Sequence, residues 1–170
     1  IYVTGNLGDS YLGLKALSNK VKFKNKDKLF FVDKYYKPEL PLNLTKYLLK
    51  FANSSIDISD GLIDDLSKMI NRQSLSFHLF ENKIPVSNKL SNLIKKQRLN
   101  KINLISNGDD YQVLFTADIK KARIIQNASK ATGIKITKIG KIVSGKDRSL
   151  IFNEKGKQIQ AKSKGYIHQF

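Results

Sequence analysis

The chain has 170 residues, 41% hydrophobic and 26% charged, which is enough to bury one core and too little for two comfortable domains. Its 31 Lys and Arg against 14 Asp and Glu give a formal charge of +17, yet only Arg72, Arg98, Arg123 and Arg148 are arginine and the lysines are spread along the chain, so a nucleic-acid partner is not expected. The absence of cysteine excludes disulfides, thiolate zinc sites and cysteine nucleophiles and fits a cytoplasmic home, and no apolar run approaches the roughly 18 residues that span a bilayer, so no membrane partner is expected.

Ile1 to Thr4 reads as a short β-branched strand closed by the turn Gly5-Asn6-Leu7-Gly8, and a helix is expected from about Ser10 to Asn19. The chain begins without methionine, and its single methionine is Met69, so a longer parent protein is expected, cut near a domain boundary. A lysine-rich connector covers Lys20 to Lys28, and Leu29 to Tyr36 is a short apolar and aromatic segment before the extended stretch set by Pro38 and Pro41. Leu44, Tyr47, Leu48 and Phe51 mark a helix over Asn43 to Phe51. Ser54 to Ser59 alternates like a strand, and the helix after it takes Asp60 as N-cap and Leu62, Ile63, Leu66, Met69 and Ile70 as its apolar face.

Ser74 to Phe80 is a further strand and Ser87 to Arg98 a further helix. Gly108-Asp109-Asp110 forms a turn before the strand Tyr111 to Thr116, and Asp118 caps a helix ended by Gly133. Ile134, Ile136, Ile139 and Ile142 predict a strand bent at Gly140, followed by a hairpin-like tail. Strands and helices mix without strict alternation, so the expected class is α+β, a mixed β-sheet covered by helices.

Chemistry concentrates at Asp57-Ile58-Ser59-Asp60-Gly61-Leu62, a strand-to-helix junction. Asp57 and Ser59 share a strand face and Asp60 follows in the turn, so three oxygen donors can converge beside helix N–H groups. Such a set suits a hard cation, and simple capping by Asp60 is the competing reading. Ser106-Asn107-Gly108-Asp109-Asp110-Tyr111 is either an ordinary turn or one that aims a carboxylate at a ligand. The turn Thr4 to Ser10 matches neither common glycine-rich phosphate loop and is a weak phosphate cradle. The tail Gly165-Tyr166-Ile167-His168 either packs into the core or folds over a ring-bearing ligand. His78 and His168 lie too far apart in sequence to form a paired metal motif.

Taken together, Val3-Thr4-Gly5-Asn6-Leu7-Gly8-Asp9-Ser10 with Gly13-Leu14, Tyr36-Lys37-Pro38-Glu39-Leu40-Pro41, Ser55 to Leu62 with Asp65-Leu66, Gly108-Asp109-Asp110-Tyr111 with Leu114-Phe115-Thr116, Ile139-Gly140 and the Gly165-Tyr166-x-His168 tail resemble the thiamine-monophosphate kinase family, in its order and over nearly the whole chain. The wider superfamily contains aminoimidazole ribonucleotide synthetases, selenophosphate synthetases and a hydrogenase-maturation protein. The resemblance implies that residues 1–170 form a single C-terminal domain. It places outside the sequence an N-terminal domain that carries most of the magnesium-binding acids, much of the ATP site and the dimer interface.

The resemblance also implies roles. Asp57 and Asp60 correspond to Mg²⁺ ligands and Ser59 to a contact with the phosphates of ATP, the co-substrate. Asp109 stands where the family has a glutamate that contacts thiamine monophosphate, Gln112 stands where the block ends in glutamate, and Tyr166 corresponds to an aromatic that covers the thiamine. The implied activity is transfer of the ATP γ-phosphate to thiamine monophosphate, giving thiamine diphosphate, with the isolated fragment inactive and the full-length family a homodimer. The alternatives are another ATP-dependent member of the superfamily, a basic nucleic-acid-binding module without catalysis, and a non-functional gene remnant.

Overall fold

A computed structural model of the chain describes residues 1–21, 23, 25–71, 73–161 and 165. In chain order its elements are β1 (Tyr2–Thr4), α1 (Asp9–Leu17), α2 (Asn25–Tyr36), α3 (Thr45–Phe51), β2 (Ala52–Asp57), α4 (Leu62–Met69), β3 (Leu75–Phe80), α5 (Asn88–Gln97), α6 (Lys101–Ile105), β4 (Val113–Ala117), α7 (Ala122–Thr132), β5 (Ile136–Lys138), β6 (Gly140–Ser144), β7 (Leu150–Phe152) and β8 (Gln158–Ile159). The class is α+β, and the strands divide between two four-stranded sheets, ordered β2-β4-β1-β5 and β6-β3-β7-β8. The first is antiparallel throughout; in the second, β3 and β7 run parallel.

Alternation along β1 and β4 builds the first sheet's two faces. Val3 and Leu114, partners in the ladder, join a core that also holds Leu62, Ile63 and Leu66 of α4 and Phe77, Leu79 and Ile151 of the second sheet. On the opposite face Tyr2 and Phe115, also partners, stack at 5.3 Å with rings 8° apart and meet Leu44, Phe51 and Ile125 from the α3 and α7 side. The face expected from Leu44, Tyr47, Leu48 and Phe51 is therefore the one that packs. Within a third cluster Leu12, Phe31, Leu90, Leu93 and Leu104 tie together α1, α2, α5 and α6.

Three departures from the sequence reading have physical causes. Leu29 to Tyr36 is the greater part of a helix, because Phe31 is fully buried against α1 and α5 while Leu29 and Tyr36 stay exposed. The strand through Ile134 to Ile142 divides at buried Ile139, whose N–H donates to the Ile1 carbonyl at 2.9 Å and whose carbonyl accepts from Phe80 N–H at 2.9 Å, so one residue joins both sheets. The short helix α6 follows Asn100, whose side chain accepts from Asn103 N–H at 3.0 Å and caps it.

Candidate active site

Two segments far apart in sequence meet at the end of the first sheet. The β2 ladder ends at exposed Asp57, opposite Val113, and main-chain pairing continues beyond it. Ile58 N–H donates to Gln112 O, Tyr111 N–H to Ile58 O and Asp109 N–H to Ser59 O, each at 2.9 Å. The Asp57–Asp60 and Asp109–Gln112 segments thus lie side by side. Their approach depends on glycine: a Cβ on Gly108 would fall 2.1 Å from the Ser59 carbonyl oxygen, and one on Gly61 2.4 Å from the Ser106 carbonyl oxygen. Asp109 and Tyr111 hold φ of 61° and 51°, a left-handed conformation that costs non-glycine residues energy and that the pairing with β2 maintains. The Tyr111 phenol is raised above its usual range, first by burial and then by the charge and hydrogen bond of Asp109, with Asp57 and Tyr35 adding to it.

The start of α4 is built differently from the sequence expectation. Gly61, at φ 131°, occupies the N-cap, so Asp60 is not the cap. Asp65, from inside the helix, folds back instead: its Oδ2 accepts from Ser59, Asp60 and Gly61 N–H, each at 3.0 Å, and the side chain is 1% exposed. Asp60 is left to bond the Lys68 ammonium, which also lies 2.8 Å from Asp64 Oδ2 and 3.3 Å from Asp65 Oδ1. Those bonds raise the Lys68 ammonium above its ordinary range, Asp60 contributing most and Asp64 next.

A carboxylate oxygen from each of Asp60, Asp64 and Asp65 lies within 4.8 Å of the others. Oxygen-only donors are what Mg²⁺ prefers, so the chemistry of the set fits that ion. Asp65 is committed to main-chain N–H groups, which leaves Asp60 and Asp64 as the members of that set able to turn toward a metal, while Asp57, exposed at the end of β2, is not among the clustered carboxylates.

The N-terminal turn has a defined occupant. Gly8, at φ 86°, precedes α1, and its N–H donates to buried Asp110 Oδ2 at 2.7 Å. A side-chain carboxylate therefore fills the place where a phosphate cradle would have to open. Burial pushes the Asp110 carboxyl up to about 8, opposed by its bonds to Gly8 and Ser10 N–H and reinforced by Asp9 and Asp109. Asp9, which accepts from Ser87 Oγ at 2.7 Å, is likewise raised by burial to about 6.

Comparison with known proteins puts this site in context. No family model matches the chain. It is 37% identical to a thiamine-monophosphate kinase of Buchnera aphidicola subsp. Schizaphis graminum over 99% of its own length and 52% of that protein. It is 30% identical to the thiamine-monophosphate kinase of Escherichia coli strain K12 over 99% of its own length and 51% of that protein. The chain is a homologue of the thiamine-monophosphate kinases. It spans about half the length of the curated relatives it matches. A solved Aquifex aeolicus thiamine monophosphate kinase superimposes with a TM-score of 0.72 at 28% identity, covering 94% of this chain and 50% of that one. The AaThiL complex with AMPPCP and TMP gives 0.73 at 28% identity, covering 98% and 50%. Escherichia coli HypE, a hydrogenase maturation protein, shares the fold with a TM-score of 0.71 at 14% identity.

In this homologue of the thiamine-monophosphate kinases, the structure brings Asp57, Ser59, Asp60 and Asp109 to one sheet end. Ser59 sits in the turn after the ladder, so strand alternation is not what places it beside Asp57. Gly165 reaches the same place, since a Cβ on it would lie 2.6 Å from Asp64 Cβ and 3.2 Å from the Asp60 carbonyl oxygen. Tyr166 and His168 lie outside the described residues. His78 packs its ring edge-to-face on Phe152 at 5.3 Å, within the second sheet. Three contributors carried no assigned role in the sequence reading: Asp65, Lys68 and Asp110. The Asp64–Lys68 and Asp65–Lys68 spacings of four and three residues were the local signal for the first two; Asp110 becomes evident only when α1 meets the 108–111 loop.

Proposed function

We propose that residues 1–170 are the C-terminal domain of a thiamine-monophosphate kinase, which transfers the ATP γ-phosphate to thiamine monophosphate and gives thiamine diphosphate. In this reading Asp57 and Asp60 hold Mg²⁺, Ser59 contacts the ATP phosphates, and Asp109 and Tyr166 contact thiamine monophosphate. The observation that carries it is the 2.9 Å bond from Asp109 N–H to Ser59 O, which sets the acceptor-side acid directly against the nucleotide-side turn, in a chain homologous to these kinases along 99% of its length. Bound Mg²⁺ neutralises phosphate charge. The chain's own part is positioning: three main-chain hydrogen bonds and two close glycine contacts fix the two acid-bearing segments relative to each other. A phosphate monoester is itself nucleophilic at neutral pH, so the site needs no histidine base, and among the described residues His78 lies in the second sheet.

The remaining part of the ATP and metal site, and the homodimer contact, belong in this reading to an N-terminal domain, and the whole enzyme works in the cytoplasm. No helix among the described residues is long and apolar enough to cross a membrane. The decisive assay supplies ATP, Mg²⁺ and thiamine monophosphate to the 170-residue chain alone and with the N-terminal half of the Buchnera relative added in trans. Activity is expected in the mixture and not in the chain alone, and Asp60→Asn should lower it by on the order of a hundredfold. Turnover by the chain alone at about 1–100 s⁻¹, the usual kinase range, would refute the division of the site.

A further inference from the structure

The acidic face at the start of α4 already holds a cation of its own. Lys68 Nζ bonds Asp60 and lies 2.8 Å from Asp64 Oδ2 and 3.3 Å from Asp65 Oδ1. An ammonium has three donors, and here each has a carboxylate. Helical spacing fixes the arrangement, because Asp64 and Asp65 stand four and three residues before Lys68 on one face. The three acids are not equivalent. Asp65 is locked by three main-chain N–H groups, and Asp64 is a surface partner one helical turn away, whereas Asp60 sits in the turn beside Ser59 and Asp109 and is the member read above as a metal ligand.

We propose that Lys68 is a tethered counter-cation that occupies the Asp60 carboxylate in the metal-free protein and competes with a divalent metal for it, setting how tightly this site takes Mg²⁺. The proposal rests on the reading of Asp60 as a metal ligand. Mg²⁺ demands near-octahedral oxygen coordination at about 2.0–2.1 Å, which an ammonium in contact with the same carboxylate obstructs. When metal arrives, Asp64 and Asp65 remain as partners for the displaced ammonium, so exchange at Asp60 leaves no charge stranded. Lys68 is 45% exposed and free to make that short movement. Its action is on metal affinity, which makes it a positioning residue.

The test titrates the 170-residue chain with Mn²⁺ and counts free ion by electron paramagnetic resonance, for the wild type, Lys68→Gln, Asp60→Asn and the charge-matched control Lys95→Gln on α5. Lys68→Gln should tighten Mn²⁺ by on the order of tenfold, Asp60→Asn should abolish that binding, and Lys95→Gln should leave it unchanged. A purely structural ion pair would lower the thermal midpoint of Lys68→Gln with no gain in Mn²⁺ affinity, and that result overturns the proposal while Asp60 keeps its role. Equal gains in Lys68→Gln and Lys95→Gln would assign the effect to net charge and overturn it as well. Unchanged binding in Asp60→Asn, or no binding by Lys68→Gln, refutes the metal-ligand reading and the proposal with it.

Discussion

Asp65 binds three consecutive main-chain N–H groups with one oxygen, so truncating it strips all three at once. Asp65→Ala should cost about 3 kcal/mol or more, the scale of lost charge-assisted hydrogen bonds plus unsatisfied donors, read as a lower midpoint in urea unfolding. Asp65→Asn keeps the accepting oxygen and should recover part of that loss. Asp110 and Asp9 make a different prediction, because burial raises both carboxyls, to about 8 and about 6. A carboxyl raised on folding binds more protons folded than unfolded, so its stabilisation is complete below the unfolded value near 4 and is lost as pH climbs through the folded value. That contribution should therefore fall between about pH 4 and pH 8, while the buried Ile1 ammonium, lowered to about 6, pulls the other way above pH 6. The difference in thermal midpoint between the wild type and Asp110→Asn isolates the carboxyl and should shift against the wild type as pH rises through that window; a difference that moves the other way would contradict the assigned burial.

At the scale of elements, α2 shows what packing decides and pattern conceals. Its apolar residues come as the run Leu29-Phe30-Phe31-Val32 and the pair Tyr35-Tyr36, which fit neither a two-residue nor a 3.6-residue period cleanly, and only contact with α1 and α5 makes Phe31 the buried member. Phe31→Ala should destabilise by about 3–5 kcal/mol, the usual cost of emptying a buried aromatic position, measured by chemical denaturation. Loss near zero would mean that α2 docks weakly. Elements with a clean period were legible in advance: α4 and α5 occur where helical spacing placed them, whereas β2 runs over Ala52–Asp57, two residues before the Ser54 to Ser59 alternation, and Asp118 caps a short 3-10 turn that leads into α7 at Ala122. The cap of α4 was not, because Asp60 and Asp65 are both plausible by residue type, and the outcome turns on Gly61 taking φ 131° and Lys68 claiming Asp60. The site was half legible for the same reason. Both acid-bearing segments stood out as sequence, but their pairing is a contact across about fifty residues of chain that no local pattern encodes.

For the whole molecule the dominant physical fact outside the core is a net charge of +17. Self-repulsion of that size weakens the folded state most where screening is poor. The Debye length shrinks from about 30 Å at 0.01 M salt to about 8 Å at 0.15 M, so the thermal midpoint should be higher at the second concentration. The five ion pairs among the described residues pull the other way, yet all include an exposed or half-exposed partner and contribute little each. A midpoint that drops with salt would show that local pairs outweigh the overall charge. The same excess of positive charge raises the encounter rate with polyanions, an effect that salt removes.

The contact between Gly108 and the Ser59 carbonyl has a consequence for descent. With no side chain between them and main-chain bonds on either side, the two acid-bearing segments are held in one register as a single packed body. A relative that acquires a new acceptor can do so by exchanging side chains on this body or by reshaping what closes on it, whereas a longer 107–108 loop would break the staple and forfeit both halves of the site together.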